Sequence, residues 1–430
     1  MARFGGALLA IVIIFSTAPA LAAKPTASTA AEALKASAAF AKAGAFLDAD
    51  HERWVAEIIT LTEIPAPPFK ETARAKAYAA MFTELGLTNV EIDPEGNVLG
   101  VRKGAQPGPF LVISAHLDTV FPEGTDVKVR REGNILRAPG VGDDSAGLAT
   151  LLAMIRAMNA ANFKTKSDIL FVGTVGEEGP GDLRGVRYLF NKGAYKGKIG
   201  AFFSFDGSGA GRVVDTGVGS KRYRAMFKGP GGHSYGAFGI VNPAAAMGNA
   251  IATFYETKVP TTPKTTFSVS VLGGGTSVNT IPPEVWMEVD MRSSDPAELA
   301  MLEKRFLSII ADAAAEENKS RSTAAGIITV DPILIGDRPA GKTDPNSAFF
   351  AAVRAAHAAF GVPIRASESS TDANVPMNLG IPALTVPSIA IAHRAHAPDE
   401  WINVEKVPNV ELRKLMLATV LLSAGVDAPK

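Results

Sequence analysis

Phe110-Leu111-Val112-Ile113-Ser114-Ala115-His116-Leu117-Asp118 is a near-continuous apolar run that ends on an imidazole and a carboxylate. A run of that length without polar alternation reads as a strand buried on both faces, as in a parallel sheet covered by helices. Similar runs follow at Ile169–Val175, Ala201–Phe205 and Pro382–Val386, separated by helical stretches. The first of these passes through Gly176 into Glu177-Glu178, and the second runs into Asp206-Gly207. Ligands of an open parallel sheet collect outside the carboxyl ends of its strands. Three strands therefore bring His116, Asp118, Glu177, Glu178 and Asp206 to one rim.

Upstream of this sheet a helix fits Phe46–Leu61, followed by the turn Pro65–Pro68 and a second helix over Glu71–Leu85, stopped by Gly86. A different rhythm occupies Gly217–Pro332. It reads as a strand at Lys221–Lys228, a helix at Pro243–Tyr255, strands at Thr266–Leu272 and Val285–Arg292, a helix at Pro296–Glu317 and a strand at Gly326–Val330. Strand–helix–strand–strand–helix–strand is the order of a ferredoxin-like α+β unit. The expected fold is α/β: a three-layer α/β/α domain from residues 46–216 and 333–430, split by the ferredoxin-like insertion 217–332. A chain of 430 residues exceeds what one core usually serves, in keeping with two domains.

Basic and acidic residues balance at 43 each. No global field argues for nucleic acid or an anionic membrane as partner. Cysteine is absent, which excludes disulfides and thiolate ligands, so a metal must be held by His, Asp and Glu. Arg3, the apolar run Gly5–Phe15 and Ala20-Leu21-Ala22 read as an export signal over residues 1–23, with an uncleaved anchor as the alternative. Export places the protein in a periplasm or the medium, without stable membrane contact once the signal is removed. Residues 24–45, rich in Ala, are expected to be a linker or loose helix.

The polar residues suit a metal centre of nitrogen and oxygen donors. His116 and Asp118 are two apart on an extended segment, so both side chains can face one way, and Asp118 can accept the second ring N–H of His116. Gly140-Val141-Gly142-Asp143-Asp144 forms a tight loop before a helix at Ala146–Met158, where a carboxylate can reach two cations. His393-Arg394-Ala395-His396 with Glu400 offers a further imidazole. Taken singly, each piece is ordinary: His-x-Asp a polar loop, Glu-Glu a solvated turn, Asp-Asp a helix cap. Adjacent carboxylates at the end of an apolar strand are costly unless a cation compensates. His51 and His357 fall in helical stretches and are expected on the surface.

Five stretches resemble the co-catalytic di-zinc peptidases and deacylases that include peptidase T, carboxypeptidase G, acetylornithine deacetylase and succinyl-diaminopimelate desuccinylase. They are Ser114–Val120, Gly140–Gly147, Gly176-Glu177-Glu178-Gly179, Gly229–Ser234 with His233, and Gly273–Arg292 with Asn279 and Pro282. The resemblance runs from about Trp54 to the C-terminal helix and implies a zinc-peptidase-like catalytic domain with an inserted dimerisation and lid domain. It implies two zinc ions per subunit, with cobalt or manganese as alternatives. One would be held by His116 and Asp206, the other by Glu178 and His396, with Asp143 bridging. Glu177 would be the general base and Asp118 would orient His116. His233 would reach the partner's site in a homodimer and donate to the developing oxyanion. Arg292 and Asn279 would bind a substrate carboxylate or carbonyl, with Thr371-Asp372 a further substrate-loop candidate. His396 is preferred over His393 because His396-Ala397-Pro398-Asp399-Glu400 matches the family's His-x-x-x-Glu. Two departures stand out: Ser145-Ala146 follows the Asp-Asp pair where many relatives have Lys or Asn, and Asp206 stands where deacylases tend to have Glu. Asp206 looks more like peptidase T and the dipeptidases. The implied function is an exported exopeptidase, leaning to an aminopeptidase of di- or tripeptides. An N-acyl-amino-acid deacylase or glutamate carboxypeptidase is the alternative, and a non-catalytic binding protein of the same fold the third reading.

Overall fold

The computed structural model describes Met1 and residues 26–426, so the expected export signal lies outside the described residues. The run that ends at His116 is a central strand, Phe110–His116, with Ile169–Thr174 and Ile199–Phe205 parallel on either side. Ala383–Val386 pairs parallel to the last of these. Alternation along the strands sends Leu111, Ile113, Phe171 and Phe203 into one apolar layer and Val112, Leu170, Val172 and Phe202 into the other. Helices therefore cover both faces, and the core sits above and below one sheet. The full sheet is mixed: Val98–Arg102 joins antiparallel to Ile169–Thr174, and Arg212–Gly217 antiparallel to Ala383–Val386.

The insertion is a four-stranded antiparallel sheet in the order Thr265–Gly274, Glu284–Ser293, Gly219–Lys228, Thr329–Arg338. Its two helices, Pro243–Tyr255 and Pro296–Ser320, start on capping side chains: Asn242 accepts from Ala244 N–H at 3.0 Å, and Asp295 from Ala297 N–H at 2.7 Å. In each a proline fills the first turn, where its missing N–H leaves nothing unpaired. They share an apolar core of their own with Ala225, Phe227, Met287 and Phe306.

Several expectations are corrected. The described part of the expected linker, residues 26–45, is not loose: Ala27–Ala36 and Ala38–Ala49 are helices whose Leu34, Phe40 and Leu47 are buried in the main core. The expected helix Phe46–Leu61 is two helices breaking at Asp50, whose carboxylate turns inward to Arg156 at 2.6 Å. The insertion ends at Arg338, not Pro332, because Pro332 lies within an edge strand, where proline is tolerated. His51 and His357 are buried, not superficial. The ring of His51 meets the Val404 carbonyl at 2.9 Å and the Arg413 guanidinium at 3.1 Å.

Candidate functional site

His116 closes its strand with its ring at the rim of the sheet. Its Nδ1 lies 3.0 Å from the backbone carbonyl of Asp118, so Nδ1 donates to that carbonyl and Nε2 faces the cluster. The Asp118 carboxylate is farther, at 3.7 Å. Its two oxygens instead accept from the amides of Glu177, at 3.0 Å, and Glu178, at 2.8 Å. The expected ring-to-carboxylate bond is thus replaced by a ring-to-carbonyl bond, and the carboxylate sets the Glu-Glu turn. Arg74, fully buried, donates to the carbonyls of Leu117 and Ile64.

Asp143 sits at the centre. Its Oδ1 lies 2.8 Å from His116 Nε2 and its Oδ2 3.2 Å from His396 Nε2. His396 Nε2 also lies 2.8 Å from Glu178 Oε1. Two three-residue clusters result, His116/Asp143/Asp206 and Asp143/Glu178/His396, each with its donor atoms within 4.8 Å of one another. A third, His116/Glu177/Glu178, meets the same limit. The loop bearing Asp143 is held by Glu400, whose carboxylate accepts from the amides of Gly140, Gly142 and Asp143 at 2.7–2.9 Å. Asp144 is buried and accepts from the His116 amide at 3.0 Å rather than capping its helix.

Charge here is out of balance. Burial pushes Asp206 up to about 7 and Glu400 up to about 7, and raises Glu177 well above the carboxylate range. Asp143, although half-buried, is held below its usual range by the imidazoles of His116 and His396. Hydrogen bonds to Asp143 and Glu178 carry His396 up to about 10. Buried carboxylates gathered around two imidazoles are the environment of a cation, and a pair sharing Asp143 fits the donors present.

The cluster opens into a cavity of about 600 Å³ lined by Asp143, Glu177, Glu178, Asp206 and His396. Arg212, Arg222, Arg292 and Arg338 give the same lining a cationic part. Asp290 bridges Arg222 at 2.9 Å and Arg292 at 2.6 Å. Of the residues expected at the site, His233 and Asn279 stand apart from this lining. They lie on the two-stranded ribbon Gly232–His233 and Thr280–Ile281, where Ser234 N–H donates to the Asn279 carbonyl at 2.9 Å. His233 is exposed, and its Nδ1 accepts from the amides of Tyr235 and Gly236, leaving Nε2–H as a free-facing donor. Thr371-Asp372 is no substrate loop: both are buried, with Asp372 accepting from Thr174 and Thr371 paired with Thr385. Sequence reasoning missed Arg338 and the anchoring work of Glu400. The latter had a signal in the His396-to-Glu400 spacing; the former had none, lying 161 positions from the residue it touches.

A parallel-sheet rim carrying two sets of candidate metal ligands that share one carboxylate fits a dinuclear metallohydrolase. The chain belongs to the peptidase family M20/M25/M40, whose profile matches residues 112–413, and it is accordingly a metallopeptidase or amidohydrolase. Among solved structures it is similar to the aminopeptidase PepT of Bacillus cereus, with a TM-score of 0.69 and 21% identity over 87% of this chain and 98% of that one. It is also similar to the Bacillus subtilis YXEP protein, a dinuclear metal-binding peptidase, with a TM-score of 0.65 and 19% identity over 87% and 99%. A curated relative, the N-formyl-4-amino-5-aminomethyl-2-methylpyrimidine deformylase of Halalkalibacterium halodurans, is 28% identical over 150 residues, 31% of this chain. The match spans about a third (35%) of that relative's length.

Proposed function

We propose that this chain is an exported di-zinc exopeptidase that removes the first residue of di- or tripeptides and works as a homodimer. The observation that carries the hydrolytic reading is the sharing of Asp143 by two metal clusters with Glu177 beside them on the cavity wall. In this reading His116 and Asp206 hold one cation, Glu178 and His396 the other, and Asp143 both. Zinc suits these donors, as do cobalt and manganese. Bound there, the cations supply Lewis acidity to the amide carbonyl and lower the pKa of water.

Glu177 takes the proton of the attacking water and passes it to the leaving amine. Its raised pKa suits a group that must hold a proton between those events. Asp118 fixes the Glu177 and Glu178 amides, so the two neighbouring carboxylates keep separate directions. Arg292 takes a substrate carboxylate in a forked bond. His233, and with it Asn279, serves the site of the partner subunit, where Nε2–H donates to the developing oxyanion. The exposed ring and its place outside the lining of the home cavity support that assignment. Asp206 and the similarity to an aminopeptidase support the aminopeptidase lean. The arginine-rich wall favours a second reading, a deacylase or glutamate carboxypeptidase acting on an anionic N-acyl amino acid.

The test is hydrolysis, by zinc-loaded protein lacking residues 1–23, of a free tripeptide, its N-acetylated form and an N-acetyl amino acid. Cleavage of the free tripeptide alone, at its first bond, is the expected result. Cleavage of the acetylated compounds selects the second reading, and cleavage of none refutes both. The trans role of His233 has its own test. Mixing inactive His233→Ala with inactive Glu177→Ala protein should restore about a quarter of wild-type activity, since half the dimers are mixed and each has one intact site. No recovery would place His233 in its own subunit's chemistry.

A further inference from the structure

Residues 337 and 338 close the last strand of the inserted domain, and three residues of this domain, Arg338, Asp337 and Arg222, bond to the turn that carries Glu177 and Glu178. Arg338 donates through Nη1 to Glu177 Oε1 and to Ser370 Oγ, each at 3.2 Å, and through Nη2 to the Glu177 carbonyl. The Asp337 amide donates to the Asp182 carboxylate at 3.0 Å. From the first strand of the insertion, Arg222 donates to the Gly179 carbonyl at 3.3 Å.

The turn so gripped is not at rest. Asp182 and Leu183 are consecutive non-glycine residues in the left-handed region, at φ 50° and 61°. Such residues persist where their surroundings hold them. The grip lies at the hinge: the chain crosses between domains at residues 217–219 and 338–340, and Asn374 Nδ2 donates to Val218 and Pro339 carbonyls at 2.9 Å each. A rotation of the inserted domain about these crossings must move Arg338, and with it the carboxylate it holds.

We infer that Arg338 is a positioning residue for Glu177, and that with the Asp182–Asp337 latch it ties the orientation of the inserted domain to the placement of the base. This rests on the reading of Glu177 as the base. Arg338 is buried where it lines the cavity, its Nε has no partner among the described residues, and its fork is shared between Glu177 and Ser370. A substrate that draws the inserted domain inward thereby sets the base, and an empty site leaves the two coupled but unset.

The experiment compares Arg338→Met, Arg338→Lys and Asp182→Gly with the wild type. Glycine accepts the left-handed φ, so Asp182→Gly removes the carboxylate without adding strain. Arg338→Met is expected to lower kcat about 100-fold with KM within about threefold, as misplacement of a reacting group by about 1 Å does. Zinc content stays unchanged and Arg338→Lys recovers part of the loss. Asp182→Gly, which lies off the cavity lining, is expected to lower kcat about tenfold. Both Arg338→Met and Asp182→Gly should speed hydrogen exchange in a peptide covering residues 176–184 by at least about tenfold. A rise in KM with kcat intact would make Arg338 a substrate-binding group and overturn the proposal. Exchange unchanged in both variants would overturn it whatever the activity. Should the wild type cleave no amide, the reading of the base fails, and the exchange data still decide whether the latch exists.

Discussion

Glu177 and Glu178 are adjacent in sequence and opposite in use. Glu178 faces His396 and Asp143, whereas Glu177 faces Arg338. Glu177→Ala should therefore lower kcat about 10³-fold, within the range of general acid–base catalysis, while the zinc stoichiometry measured by atomic emission stays at the wild-type value. Loss of metal along with activity would make Glu177 a ligand instead. His357 illustrates the buried imidazoles. Its Nδ1 lies 3.2 Å from the Val362 carbonyl, its Nε2 has no partner, and burial holds its pKa below 6.5. A base depressed in the folded state contributes stability above the unfolded pKa, which is lost as pH falls toward the folded one. Between pH 7.5 and 5.5, wild type should lose up to about 1.4 kcal/mol relative to His357→Gln, read from paired denaturant curves. A constant difference would show that folding leaves the ring's pKa unshifted. That His116 and Asp206 meet at one rim was legible because each stands at the end of a buried strand. His357 was misread because an isolated histidine in a helix carries no mark of which side it faces.

At the scale of elements, the loop Gly140–Asp144 owes its shape to an acid 260 positions from Gly140. Glu400 accepts three of the loop's amides at once, and no other side chain is recorded on those three donors among the described residues. Glu400→Ala should weaken metal binding about 10- to 100-fold, the usual effect of losing a group that orients ligands, measured by competition with a chelator. An unchanged affinity would mean that the loop holds itself. Long apolar runs and the two helices with proline in the first turn could be read within about three residues, because burial on both faces and capping leave local marks. The break at Asp50 and the extension of the last insertion strand to Arg338 could not. The first is set by a bidentate pair with Arg156 and the second by pairing to Gly219–Lys228, both long-range.

Over the whole molecule, the two leading helices act as part of the catalytic domain. Lys35 donates to the Ala359 carbonyl, and Phe40 packs edge-on against Phe360 at 5.9 Å. Removing residues 1–49 would expose partners of Leu34, Phe40 and Leu47, at about 2 kcal/mol for each large side chain. Relative to protein lacking only residues 1–23, Tm should fall by roughly 5–15 °C; an equal Tm would show these helices to be dispensable. Their composition, dominated by alanine, hid that role, since alanine marks helix without marking what the helix touches. The arrangement also sets an order of assembly. The helices at 27–49 emerge from the ribosome first, yet they pack on Ala348–Phe360 and Lys406–Ala424, which emerge last. The strand Ala383–Val386 likewise slots between two strands made long before it. Closure of this core must therefore wait until Lys406–Ala424 has been made, so the leading helices spend synthesis without their partners.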